Sequence, residues 1–336
     1  MIASDDVVHR GVTVESLGRS HPVYKLSVGG EPRAILKCFE PRRGETDGEA
    51  ARERAVTALA KERPALAALV PPALEWQGRP DVVATAPVDG AVGWSLDRLA
   101  GGEEAVEVAW ERLVDALAPR LAAMHRATRD LARAPDAAPP ELGGPVPWGL
   151  RLFDGDCPSE LWAAPSLAPL LARLAADAPL IAHVRRARGG WRPRCLIHGD
   201  LKHDNLLLKA EARGRLRVTV VDWEMARIGD PAWDLAALVM RFPTASGEAP
   251  PWPPANLDAA ALLIRRYSQA SGLPAPALAQ RVLLYTGVWL VMTALQYLSS
   301  MQAKAPAGAA ESLAAAGIAT LREADPLTAA LLALLE

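Results

Sequence analysis

Residues 195–238 constrain the fold more than any other stretch of this chain. CLIHGDLKHDNLLLK at 195–209 is followed by RVTVVDWEMARIGDPAWDLAAL at 217–238. Two short β-prone runs, LLLK and VTVVDW, flank a polar connection, EARGRLR, and read as a hairpin. Residues 198–205 then form a loop entering that hairpin, and Asp222 ends its second strand. Asp200 and Asn205 share the loop while Asp222 faces them from the strand end, so one carboxylate base and two oxygen ligands surround a single cleft.

The chain on either side differs in character. Before residue 90, VTVESL, VYKLSVGG and PRAILKCFE are strand-like runs separated by Gly, Pro and Ser, with GGEP at 29–32 as a hairpin turn. One helix over 49–69 is inserted among them, with Val56, Leu59 and Ala60 on one face, and DVVATAPVDG at 81–90 is again strand-like. After Gly93 the chain is mostly helical, and Leu113, Leu117, Leu121 and Met124 recur at helical spacing. Pro-rich segments at 132–160 and 243–254 interrupt it as long loops. With 336 residues, more than one core usually supports, the expectation is two lobes, 1–90 and 91–336. The uncharged run between Arg281 and Lys304 approaches the length of a membrane span. Thr286, Thr293 and Gln296 interrupt it and no basic flank orients it, so it is expected to be a buried helix, without a membrane partner.

Phosphoryl transfer needs mainly positioning and charge stabilisation: magnesium takes hard oxygen ligands, and a hydroxyl nucleophile needs an oriented carboxylate to accept its proton. HGDLKHDN, VDWE and GDPAWDLA supply those parts in order. With these three blocks the chain resembles the aminoglycoside phosphotransferase and choline kinase group of protein-kinase-like enzymes. The usual pattern there is HGD-x4-N, an Ile/Val-Asp-Trp/Phe-Glu run and GDP-x2-DLA. The resemblance implies an α+β, two-lobed protein-kinase-like fold with a small antiparallel-sheet lobe containing one helix and a larger, mostly helical lobe. It implies ATP and Mg2+ as cofactors, Asp200 as catalytic base, Asn205 and Asp222 as magnesium ligands, and His198 and Asp234 as supports of the catalytic loop. As plain structure, His198 reads as a satisfied core histidine rather than a group in the chemistry, and Asp234 as a helix-start carboxylate.

The same resemblance asks the first lobe for a phosphate-binding lysine on a strand and a glutamate on the helix. Lys37 ends AILK, and Glu53 fits the glutamate, with Glu49 one turn earlier as its competitor. SLGRSHPVYKL at 16–26 has one glycine and departs from the glycine-rich loop of protein kinases. Phosphate contacts there would come from Ser20 or nearby backbone amides. VVATAP resembles the linker between lobes, whose backbone at Ala84 and Ala86 would read the adenine edge.

The acceptor is constrained by charge. A formal net charge of -2 is no footprint for nucleic acid. Aminoglycosides are polycations and call for a carboxylate-lined floor, yet the acids and bases beyond residue 236 balance. A small acidic group, Asp154, Asp156 and Glu160, faces a basic run, RRARGGWRPR at 185–194. A small hydroxylated metabolite, amino alcohol or antibiotic is the expected acceptor. The alternatives are a Ser/Thr hydroxyl of a ribosomally made peptide, or a silent kinase-like scaffold that binds a nucleotide or a protein partner. The retained Lys37, Asp200, Asn205 and Asp222 argue against silence. A serine hydrolase lacks its G-x-S-x-G turn and a metal hydrolase its second histidine segment. Three well-separated cysteines and no basic, apolar leader point to the cytoplasm.

Overall fold

The computed structural model describes residues 11–17, 22–39, 48–76, 78–92, 103–134, 136, 138–154, 165–212, 215–240, 257–300 and 308–336. Ser20, Asp156, Glu160 and the Pro-rich segment at 243–254 lie outside them.

A four-stranded antiparallel sheet opens the chain in the order β1 (Val12–Ser16), β2 (Val23–Val28), β3 (Glu31–Cys38) and β4 (Val82–Thr85). Gly29 and Gly30 form the tight β2–β3 turn with φ of 61° and 86°, a left-handed pair that side chains disfavour. The helix expected over 49–69 is two helices, α1 (Gly48–Glu62) and α2 (Pro64–Ala67). Pro64 lacks an amide hydrogen and crowds the residue before it, and Arg63 is accordingly extended, with φ −126° and ψ 94°.

Beyond the sheet, β5 (Ala91–Val92) pairs with β7 (Leu206–Ala210), which pairs in turn with β8 (Leu216–Val220). β6 (Cys195–Ile197) and β9 (Arg227–Gly229) form a separate antiparallel pair. The remainder is helical: α3 (Glu103–Ala127), α4 (Arg129–Arg133), α5 (Ala168–Ala175), α6 (Ala178–Gly189), α7 (Pro231–Met240), α8 (Leu257–Ser271), α9 (Ala275–Ser300), α10 (Ala309–Arg322) and α11 (Ala324–Leu335). Leu113, Leu117, Leu121 and Met124 of α3 are buried, each contributing about 1.5–3 kcal/mol of apolar transfer. The uncharged run is α9, packed against α7 and α10 with Val282, Leu283, Tyr285 and Leu295 fully enclosed. Its length and composition suit a membrane span, but its surroundings are protein.

Candidate active site

β3 carries Lys37 inward, and α1 presents Glu53 one layer away, so Lys37 Nζ lies 3.0 Å from Glu53 Oε2. Glu53, and not Glu49, is the residue the helix aims at Lys37. The same ammonium binds Asp222 Oδ1 and, at 2.7 Å, Glu224 Oε2. Burial opposes the lysine charge, but three carboxylates outweigh it and hold Lys37 firmly protonated. One cation does not neutralise three anions. Burial pushes Glu53 up to about 7, against the pull of Lys37, and burial also raises Asp222, with Glu224 reinforcing it.

Asp222 follows β8 in a left-handed conformation, φ 70° and ψ 57°, the one non-glycine with positive φ among the described residues. That turn swings its carboxylate away from the strand direction and toward Lys37. Trp223, directly after it, is buried, with its indole N–H donating to Val220 O at 2.8 Å and its ring 4.7 Å from that of His198. The tryptophan locks the turn that aims the aspartate.

The candidate catalytic loop, residues 198–205, hangs from α7. Asp234, fully buried, accepts from the amides of His198 (2.9 Å) and Gly199 (3.0 Å). His198 bridges onward: its Nε2 pairs with Val221 O at 3.0 Å, and its Nδ1 accepts from the Asp200 amide at 3.2 Å. Gly199 has φ 83°, and a Cβ there would run into the Met225 carbonyl. Trp233 Nε1 donates to Gly199 O at 3.1 Å. The outcome is Asp200 on a loop fixed from both sides. Its carboxylate accepts from Lys202 Nζ at 2.9 Å and from Asn205 Nδ2 at 3.2 Å. Asn205 Nδ2 also donates to Asp200 O at 2.8 Å, so its amide oxygen is the atom that could hold a metal.

Lys37, Glu53, Asn205 and Asp222 open on one cavity of about 600 Å³, between the small sheet and the β7–β8 hairpin. Val23, Ile35 and Val83 form one apolar wall and Leu207 the other. That size and lining suit a nucleotide. Ala86 lines the cavity but its amide is committed to Pro72 O at 2.8 Å, and Ala84 does not line it, its carbonyl being held by Leu74 N at 3.0 Å. These two backbone groups, expected to face a base, are used by the chain itself. Thr85, at the end of β4, and Ala86, Val88 and Gly90 after it reach the cavity.

Glu224, Asp230 and Lys202 are site residues that motif spacing did not single out. Carboxylate oxygens of Glu53, Asp222 and Glu224 lie within 4.8 Å of one another, and this hard, negatively charged donor set fits a divalent cation such as magnesium. The Glu of VDWE was its signal. Asp230, in the GDP block, accepts from the amides of Ala232 (3.0 Å) and Arg192 (3.1 Å) and from Tyr285 OH (3.2 Å), with Arg281 Nε 3.0 Å away. It ties the strand before the catalytic loop to α7 and α9.

A small antiparallel sheet with one glutamate-bearing helix, a helical second lobe and this constellation in the cleft define a kinase-like phosphotransferase. The profile described as the phosphotransferase enzyme family matches residues 12–281, and the chain belongs to that family. No curated protein matches the sequence. Among solved structures, an ethanolamine kinase of Plasmodium vivax is similar at 12% identity, covering 96% of this chain and 83% of its own, with a TM-score of 0.57. A macrolide 2'-phosphotransferase from Brachybacterium faecium is similar at 21% identity, covering 94% of each chain, with a TM-score of 0.50. At such identities the likeness is one of fold, and the fold is the protein-kinase-like one. The chain is a phosphotransferase acting on a hydroxyl group.

Proposed function

We propose that this protein transfers the γ-phosphate of ATP to a hydroxyl of a small molecule. The observation that carries this reading is the convergence of the Lys37–Glu53 pair and the Asp200–Asn205 loop on one nucleotide-sized cavity. Adenine lies between the apolar walls, and Lys37 meets the phosphates. Asp200 accepts the proton of the acceptor hydroxyl as its oxygen bonds to the γ-phosphorus; the bond to the bridging oxygen breaks and ADP departs. Asp222 with Asn205 and Glu224 would hold magnesium, which would supply charge neutralisation near the phosphates. Lys202, in contact with Asp200, keeps the carboxylate turned into the cleft. We infer a cytoplasmic location, supported by the use of ATP and by three well-separated cysteines.

A peptide acceptor had its support in the basic run at 185–194. Arg186 there pairs with Asp325 at 2.7 Å, Arg188 pairs with Asp154, and Arg192 binds the carbonyls of Gly189 and Trp191. Internal contacts account for these arginines, and a small molecule is the better reading. The test is transfer of labelled phosphate from ATP with magnesium to panels of amino alcohols, aminoglycosides, macrolides, sugars and Ser/Thr peptides. Asp200→Asn should lower turnover at least about a hundredfold with little change in nucleotide affinity. Retained turnover would remove Asp200 from the base role, and transfer to peptides alone would overturn the small-molecule reading.

A further inference from the structure

The two side-chain contacts of the Asp200 carboxylate fall on one of its oxygens. Lys202 Nζ lies 2.9 Å from Oδ2, and Asn205 Nδ2 donates to the same Oδ2 at 3.2 Å. Oδ1 is therefore the oxygen that could take the proton of an incoming hydroxyl. The backbone enforces this arrangement. The Lys202 amide donates to Asp200 O at 2.9 Å, and the Lys202 carbonyl accepts from the Asn205 amide at 3.0 Å. Leu201 is fully buried, and Lys202 after it is extended, with φ −104° and ψ 166°, so the lysine turns away from the core and lies beside the carboxylate. The pattern HGD-x4-N leaves that position unspecified, and this chain fills it with a cation.

The ammonium of Lys202 thus stands next to the reacting group. An acceptor oxygen at about 2.6–3.2 Å from Oδ1 is well inside the roughly 8 Å over which charges act at physiological ionic strength. Asp200 and Lys202 are both half-buried, where charges couple more strongly than in bulk water. Alone, Asp200 would attract an acceptor carrying an ammonium beside its hydroxyl. With Lys202 on Oδ2 that attraction is cancelled, and the incoming ammonium meets a like charge.

The helical lobe offers such an ammonium little in return. Asp115 pairs with Arg266, Asp154 with Arg188, Asp177 with Arg322, Asp230 with Arg281 and Asp325 with Arg186. Asp154 belongs to the acidic group that the sequence presents as a partner for an amine, and an arginine already holds it. Glu53, Asp222 and Glu224 gather on Lys37. We propose that Lys202 is a specificity-determining residue, which offsets the charge of Asp200 toward the acceptor and shuts out an ammonium beside the reacting hydroxyl. The molecule phosphorylated is then an uncharged polyhydroxyl compound, such as a sugar or polyol, and not an amino alcohol or an aminoglycoside. This acceptor class rests on the phosphotransferase reading and on Asp200 as its base.

The experiment uses the full chain with ATP and magnesium. It compares kcat/KM for acceptors paired so that they differ by one ammonium beside the reacting hydroxyl: a polyol with the matching amino alcohol, and a sugar with the matching amino sugar. The wild type should favour the uncharged member at least about tenfold. Lys202→Gln should erase or reverse that preference, and Lys202→Arg, which keeps the charge, should retain it. A loss of turnover common to both members cancels in the ratio, so a lysine that only orients Asp200 leaves the preference where it was. Lys209→Gln, at an exposed pair with Asp89, should discriminate as the wild type does. A wild-type preference for the ammonium member, or one unchanged in Lys202→Gln, overturns the role of Lys202 and leaves the phosphotransferase standing. Equal loss in Lys202→Arg and Lys202→Gln would put shape in place of charge and overturns it as well. Transfer confined to peptides, or faster to aminoglycosides than to sugars, overturns the acceptor class. Absence of transfer to every class sinks the phosphotransferase reading, and the selectivity of Lys202 with it.

Discussion

Asp222 shows how much one backbone torsion contributes to this site. Its left-handed conformation costs of order 1–3 kcal/mol for a non-glycine residue, and the enclosure of Trp223 compensates. The return is a carboxylate aimed at Lys37, in a cluster where three anions share one cation. Glu53 records that imbalance. Its carboxyl is raised from 4.5 to about 7, so across that interval the folded protein retains a proton that the unfolded chain has released. Stability attributable to Glu53 is therefore fully present at low pH and lost as pH rises toward 7. Glu53→Gln, which cannot ionise, should flatten the dependence of Tm on pH between about 4.5 and 7 in metal-free protein. An unchanged slope would show that Glu53 ionises normally in the fold. Glu53 was visible as a helical glutamate in the sequence, but its protonation was not, because it depends on Asp222 and Glu224 arriving from residues far along the chain.

At the scale of elements, the catalytic loop is a passenger of α7. Two loop amides end on the Asp234 carboxylate, which is buried and has no water to replace it. Asp234→Ala leaves both donors unsatisfied, at about 1–3 kcal/mol each, and frees Asp200 to wander. Chemical denaturation should show a loss of about 2–5 kcal/mol, and turnover should fall more than affinity for ATP. Asp234→Asn, keeping the shape and one acceptor oxygen, should recover part of the stability; equal damage from both would point to charge alone. The order and rough ends of the strands were legible, since apolar alternation and Gly or Pro punctuation report local geometry. The split at Pro64 was legible in principle, because proline has no amide hydrogen to continue a helix. The tryptophans were not. Trp191 and Trp233 pack against Tyr285, Trp289 packs against Trp233, and Trp233 also binds the Gly199 carbonyl. Only the packing of α7 on α9 shows that these residues are the floor of the catalytic loop.

Charge across the whole molecule follows the same logic of contacts between distant segments. The five-arginine run at 185–194 is the most conspicuous basic feature of the sequence, yet Arg186 and Arg188 are engaged by Asp325 and Asp154. The contact of Arg52 with the Glu224 carbonyl has no sequence signature, because it forms only when α1 packs beside the segment after β8. The two lobes are joined at the same place. Lys37 from the sheet holds Asp222 and Glu224 from the segment after β8, and Arg52 from α1 grips the Glu224 carbonyl. Lys37→Ala would remove the shared cation and leave three neighbouring carboxylates, two of them already raised by burial. At acidic pH those groups take up protons and the damage is limited; at alkaline pH they must remain charged together or separate. The loss of Tm in Lys37→Ala relative to wild type should therefore be larger at pH 8 than at pH 5.5, and added magnesium should restore part of it at pH 8. An equal loss at both pH values would mean that Lys37 joins the lobes by packing, and that the carboxylates have other counter-charges.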